Sequence, residues 1–213
     1  MGAQVTIVDE GTFSITVAGV RIGREDFSIR RTALGTLVAQ GNVLRGDIRA
    51  TVVLNTDSVG APERFRYNSN RSGRDEEQVS GERRVTVWSG LVTRPGGQSG
   101  REFRLPDGVR GADDGVLHHL WFVLRFRGSG ATTLLQPRTM AIHSIVIEDA
   151  GTDRVTIGLD ELDAQKWNVR FPDGDVPFRE VWIDAQGRLL RVRIPAEELD
   201  ATRDEPPPET PGA

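Results

Sequence analysis

Along most of the chain, apolar and polar residues alternate with a period of two, as in strands with one buried face. Residues 11–30 open with a hairpin. Phe13, Ile15 and Val17 alternate with Thr12, Ser14 and Thr16, Ala18-Gly19 turns the chain, and Val20 and Ile22 begin the return. The apolar phase then moves from even positions (Val20, Ile22) to odd ones (Phe27, Ile29), with Gly23 at the change, which predicts a β-bulge in a long bent strand. Residues 36–44 and 48–56 form a second hairpin through Arg45-Gly46-Asp47. These residue types suit a tight turn, and that explains the tripeptide better than an integrin-type adhesion motif does. Further strands are predicted over 63–70, 76–84, 85–93, 101–105, 132–135, 139–148, 155–159 and 164–171. A final hairpin joins 178–184 to 188–194 around Asp184-Ala185-Gln186-Gly187. The 76–84 segment has only Val79 clearly apolar and is expected at a sheet edge or exposed. Residues 94–100, rich in glycine, are expected to be a flexible loop.

One stretch breaks the alternation. Val116, Leu117, Leu120, Trp121 and Leu124 recur at helical spacing, predicting an amphipathic helix over about 114–127. Asp113 or Asp114 is expected to cap it, and Arg125 and Arg127 occupy its last turn. Phe122 and Phe126 fall off the main apolar face, so they must meet a second sheet layer, a ligand or another protein. The expected fold is mainly β: one large curved antiparallel sheet, an incomplete barrel or two layers, wrapped around this helix and spanning residues 1–195. Residues 196–213, acidic and carrying Pro206, Pro207 and Pro208, are expected to form an extended tail that lies on a partner.

The composition narrows the function more by exclusion than by signature. A chain of 213 residues with 37% hydrophobic and 27% charged content is ordinary globular material. A net charge of −4, with both signs interleaved, argues against nucleic-acid binding. No apolar run is long enough for a membrane span. The absence of cysteine removes disulfides, thiolate metal sites and cysteine nucleophiles. Lys166 is the single lysine among 27 basic residues. Asp114 and His118, at i and i+4 with His119, Asp107 and Asp113 nearby, could form a metal site, but helix capping is the favoured reading and no metal or cofactor is expected. His143-Ser144 point to opposite faces of a strand and no Gly-x-Ser-x-Gly elbow occurs, so no catalytic residue is assigned. Trp88, Trp121, Phe122, Phe126 and Trp167 are read first as plain core, and otherwise as the candidate lining of an apolar ligand cavity between sheet and helix.

The two ends of the chain carry a resemblance. Gly11-Thr12-Phe13 through Gly19-Val20-Arg21-Ile22-Gly23 to Phe27, and Val181-Trp182-Ile183-Asp184-Ala185-Gln186-Gly187-Arg188-Leu189-Leu190-Arg191-Val192, resemble uncharacterised bacterial envelope proteins. The second stretch is similar, more loosely, to the aromatic-x-Asp-x-x-Gly-x-Leu hairpin of the LolA/LolB-like lipoprotein carriers. That resemblance implies an incomplete curved barrel, closed by helical segments, that holds acyl chains. Gly2-Ala3 has the look of the end of a leader-cleavage site. The expected function is therefore a non-enzymatic, extracytoplasmic (periplasmic) binding or accessory protein holding an apolar small molecule. The alternatives are an extrinsic subunit of a membrane complex, for example a photosynthetic assembly, with the proline tail docking, and a hydrolase with an unrecognised carboxylate or metal site.

Overall fold

A computed structural model describes residues 5–125, 129–174 and 176–208. The first half is an antiparallel meander of β1 (Thr6–Val17), β2 (Val20–Arg31), β3 (Leu37–Arg45), β4 (Ile48–Thr56), β5 (Pro62–Arg71), β6 (Arg74–Arg84), β7 (Val87–Arg94) and β8 (Gly97–Arg104). The short β9 (Arg110–Gly111) leads through a 3-10 turn at Leu117–His119 into α1 (Leu120–Arg125). A second meander follows: β10 (Gly130–Gln136), β11 (Ala141–Ile157), β12 (Asp160–Arg170), β13 (Arg179–Ile183), β14 (Leu189–Ile194) and β15 (Leu199–Arg203). All these strands belong to one sheet, ordered β8-β7-β6-β5-β4-β3-β2-β1-β15-β14-β13-β12-β11-β10-β9. The last strand thus pairs with the first, and the two meanders are fused in the middle of the sheet.

The edge strands β8 and β9 are joined by residues 105–109, yet no ladder links them, so the curved sheet stays open along this seam. Side chains reach across instead: Met140 of the β10–β11 turn sits against Gly90 of β7, and its carbonyl accepts from Arg101 Nη1 at 3.5 Å. The helix fills the inside. Every residue from 117 to 124 is buried, in one core with Phe13, Ile29, Leu54, Phe65 and Trp88 of the sheet's inner face. This resolves the off-face position of Phe122: the sheet surrounds the helix, so its apolar side chains have a partner in every direction.

The turn chemistry places the hairpins as expected, including the bulge beside Gly23, where Ile15 pairs with Gly23 but Thr16 with Arg21. Four expectations are corrected. The helix is shorter than 114–127: Gly115 sits at φ +81°, outside helical space, so residues 114–116 stay non-helical, and Phe126 and Arg127 lie outside the described residues. Of the two alternatives for 76–84, the exposed one holds and the edge does not: β6 pairs with β5 and β7, and its polarity comes from an outer face in solvent. Of the supposed loop over 94–100, residues 97–100 belong to β8, the true edge, whose charged Arg101, Glu102 and Arg104 discourage pairing with another chain. The tail does not begin at 196, because Leu199, Ala201 and Arg203 alternate inward and make β15 an interior strand. In addition, the strands expected over 139–148 and 155–159 are one, β11, bulged between Asp149 and Thr152. Beyond the bulge it covers a small second core of Val155, Ile157, Ala164, Trp182 and Leu190.

A buried ion pair locks the fusion of the two meanders. Arg203 on β15 pairs with Asp9 on β1, and both side chains are about as buried as any in the protein. Arg203 Nη1 also donates to the Glu10 carbonyl at 2.8 Å and its Nε to the Leu189 carbonyl, while the Leu189 N–H donates to Asp9 Oδ2 at 3.0 Å. Burial pushes the Asp9 carboxyl up, against the opposing pull of Arg203. Removing one member leaves the other desolvated and alone. Arg203→Ala should cost about 3–5 kcal/mol in urea unfolding, and the paired replacement Asp9→Leu/Arg203→Met should recover much of that loss.

Candidate functional site

The most unusual chemistry lies at the start of the buried helical segment. Glu25 sits on β2, on the inward phase shared with Phe27 and Ile29, with its side chain fully buried. Its carboxylate accepts from the Leu117 N–H at 3.0 Å, the His118 N–H at 2.8 Å and His118 Nδ1 at 2.7 Å. Two N–H groups that the helical start leaves unpaired are therefore capped from across the barrel. Burial pushes the Glu25 carboxyl up, but the hydrogen bonds and charge of His118, with the two backbone N–H groups, outweigh it and hold it below its usual value.

The expected caps do other work. Asp113 is buried, with Oδ2 at 3.3 Å from Arg138 Nε and Oδ1 accepting from the Arg138 N–H at 3.3 Å. Desolvation dominates there and pushes its carboxyl up to about 7 despite Arg138. Asp114 pairs with Arg179 on β13. The Asp113 N–H donates to His119 Nδ1 at 3.1 Å, so His119 carries its proton on Nε2, and burial next to His118 holds this imidazole well below its ordinary value. The His118 ring stacks on Phe27 at 5.3 Å. Gly41 makes that possible, since a Cβ there would stand 2.5 Å from His118 Cε1. Asp114 and His118 thus go to different partners, and the described residues contain no cluster of three or more metal-ligating side chains.

The candidate ligand residues are scattered through the core. Trp88, Trp121 and Phe122 are buried, and Trp121 meets Phe122 edge-on at 5.1 Å. Trp88 lies over Gly81, where a Cβ would be 2.1 Å from its ring. Trp167 is half-buried at the margin of the same core, and Phe126 lies outside the described residues. Side chains of the sheet and helix themselves occupy the space between the two elements. Of the three prolines, Pro207 is buried beside the β13–β14 turn, and the Pro208 carbonyl accepts from Arg188 Nη1 at 2.5 Å, so this part of the tail lies on its own barrel.

A second feature lies on the outside. Asp26, Asn42, Thr51 and Asn68 are in register on β2 to β5 and face outward. They floor a groove of about 650 Å³, flanked by Arg24, Arg49, Asn70 and Asp75. Sequence reasoning missed both sites. The phase change at Gly23 was the available signal for Glu25, because it turns the odd positions inward and takes position 25 with them.

The chain belongs to a family described only as a domain of unknown function, DUF6134, whose model matches residues 65–202. The match begins in β5 and ends in β15, so β1 to β4, with Asp9 and Glu25, belong to the same sheet but precede it. No curated protein matches the chain. Among solved structures it is similar to a beta-barrel-like protein of the domain of unknown function DUF1849 from Brucella abortus, with a TM-score of 0.60 at 10% identity over 91% of this chain and 93% of that one. The likeness is one of fold: a mainly β, barrel-like architecture in an uncharacterised β family.

Two outcomes follow from the buried cluster. Glu25→Ala should destabilise by about 3–5 kcal/mol in urea unfolding, because it uncaps the helix and strands His118. Glu25→Gln, which keeps one acceptor, should cost about 1.5–3 kcal/mol. The second outcome concerns pH. Between about 3.8 and 6.5, unfolding moves a proton from Asp113 to His119, so their effects on stability have opposite sign. The raised Asp113 makes stability fall as pH rises through this window, and the depressed His119 makes it rise. Relative to wild type, Asp113→Asn should therefore gain stability with rising pH, and His119→Asn should lose it, as read from melting temperatures at about pH 5 and 6.5.

Proposed function

We propose that the protein is a non-enzymatic binding or accessory protein of an extracytoplasmic compartment that works through the outer face of its sheet. The observation that carries this reading is the groove over β2 to β5, which meets solvent on the side of the sheet that the helix does not occupy. Its floor offers two amides, a hydroxyl and a carboxylate at adjacent strand positions, donors and acceptors together, which suits a polar ligand read by hydrogen bonds. Arg24 and Asp26, paired at 3.1 Å, and Thr12, donating to Asp26 at 2.8 Å, fix one end of that row. The Glu25–His118 pair beneath is sealed from solvent and serves as a clamp, which supports a scaffold over a catalyst. The extracytoplasmic assignment rests on the resemblance of the two chain ends to envelope proteins. Carriage of an acyl chain by Trp88, Trp121 and Phe122 would require the helix to leave its seat, against the hold of Glu25.

Filling the groove tests the proposal. Protein purified from its own host should carry a polar molecule in native mass spectrometry. Thr51→Trp, an exposed change outside the core, should remove that molecule without lowering the melting temperature. A wild-type protein that is reproducibly empty, or a ligand retained by Thr51→Trp, would count against the outer groove.

A further inference from the structure

We propose that the rim of the barrel beside the β3–β4 turn is a binding site for a small oxyanion, specifically a short-chain carboxylate, held between Arg45 and Arg138. This site is separate from the outer groove and does not depend on it. A cavity of about 160 Å³ opens here, with Arg45, Arg138 and Tyr67 as its polar lining and Val43, Ile48 and Val116 among its walls.

The two guanidinium groups differ in one respect. Arg138 is fully engaged: its Nη1 donates to the Tyr67 hydroxyl at 3.3 Å, its Nη2 to the Asp114 carbonyl at 2.9 Å, and its Nε faces Asp113 at 3.3 Å. Arg45 lies on the inward phase of β3 with Val43, and its Nε and Nη2 are buried with no hydrogen-bond partner among the described residues. Arg45 as a whole is half-buried, and its two covered nitrogens are the unusual part, since buried donors seldom go without an acceptor. Both arginines also converge on one point. At the position a Gly115 side chain would begin, Arg45 Nη1 and Arg138 Nη2 are each 3.7 Å away. Gly115, at φ +81°, keeps that space clear.

A carboxylate placed there would accept from Arg45 Nη1 in a charge-assisted hydrogen bond, with the Arg138 guanidinium beside it adding positive charge. The volume equals that of about five waters, which limits the ligand to a few carbons. The aliphatic wall of Val43, Ile48 and Val116 favours a ligand with a short hydrocarbon body over a free inorganic anion. The Arg45-Gly46-Asp47 turn thereby acquires a role different from adhesion: its arginine points into the barrel, while Asp47 pairs with Arg71 at 3.0 Å.

Calorimetric titration of the full chain with butyrate, inorganic phosphate and 1-butanol provides the test. Butyrate should bind saturably, about tenfold or more tighter than phosphate, and butanol should not bind. Arg45→Leu should lose butyrate binding at least tenfold with no fall in melting temperature, and Thr51→Trp should leave it unchanged. If Arg45→Leu does not fold, Arg45→Gln and the rise in wild-type melting temperature with butyrate replace that comparison. Absence of saturable butyrate binding, equal affinity for phosphate, or undiminished binding by the Arg45 variants would each overturn the assignment.

Discussion

The arrangement depends on one buried carboxylate. Glu25 is the point at which the sheet holds the helix, through two backbone N–H groups and one imidazole. The described helical residues, 117–125, are too few to be stable alone, so their structure has to come from the surroundings. Glu25 supplies the polar part of that support, and the inner face of the sheet supplies the apolar part. The order of the β2 bulge, the glycine at 41 and the stacking of His118 on Phe27 all follow from seating this charge without water. Each polar group that could reach the carboxylate has to do so, because an unsatisfied charge at that depth would cost more than a surface ion pair contributes.

The same logic, used one strand away in the middle of the sheet, fastens the two meanders to each other. Asp9 and Arg203 come from strands at opposite ends of the chain, and the pair is specific because both remaining guanidinium donors find backbone carbonyls. Exposed ion pairs such as Arg154 with Glu161 decorate the hairpins and contribute little. The buried charges, by contrast, set register: a shift of one residue at β1 or β2 would turn Asp9 or Glu25 to solvent and point its neighbours inward.

Local chemistry made much of this legible in the sequence. Ala18-Gly19, Gly46-Asp47 and Asp184 to Gly187 each combine a turn-forming composition with flanking alternation, and all became hairpins. Strands read poorly where the clue was global. The segment 76–84 could be read only as an edge or an exposed strand, because its composition reports solvent on one face, not the presence of a strand on each side. Leu199 to Arg203 looked like part of a tail because Arg203 at an inward position makes sense only opposite Asp9. The cap on the helix could not be read locally at all, since the two aspartates preceding it are the usual solution and the true one lies 92 residues away. The aromatic residues were correctly apolar, but whether they line a void or fill it is decided by the volume of the helix, and that is a property of the assembled barrel.

The position of β15 bears on how this chain reaches its native state. Phe13 is paired with Arg203, the two lying near opposite ends of the polypeptide, so the central ladder is the contact of longest sequence separation. Such topologies fold slowly, because closing a large loop precedes the contacts that reward it. During synthesis β1 has only β2 beside it, and its other edge stays open until nearly the whole chain has emerged. The barrel therefore has no complete N-terminal half to fall back on. A chain truncated before residue 199 would retain most of its strands but lose the joint that makes them one sheet.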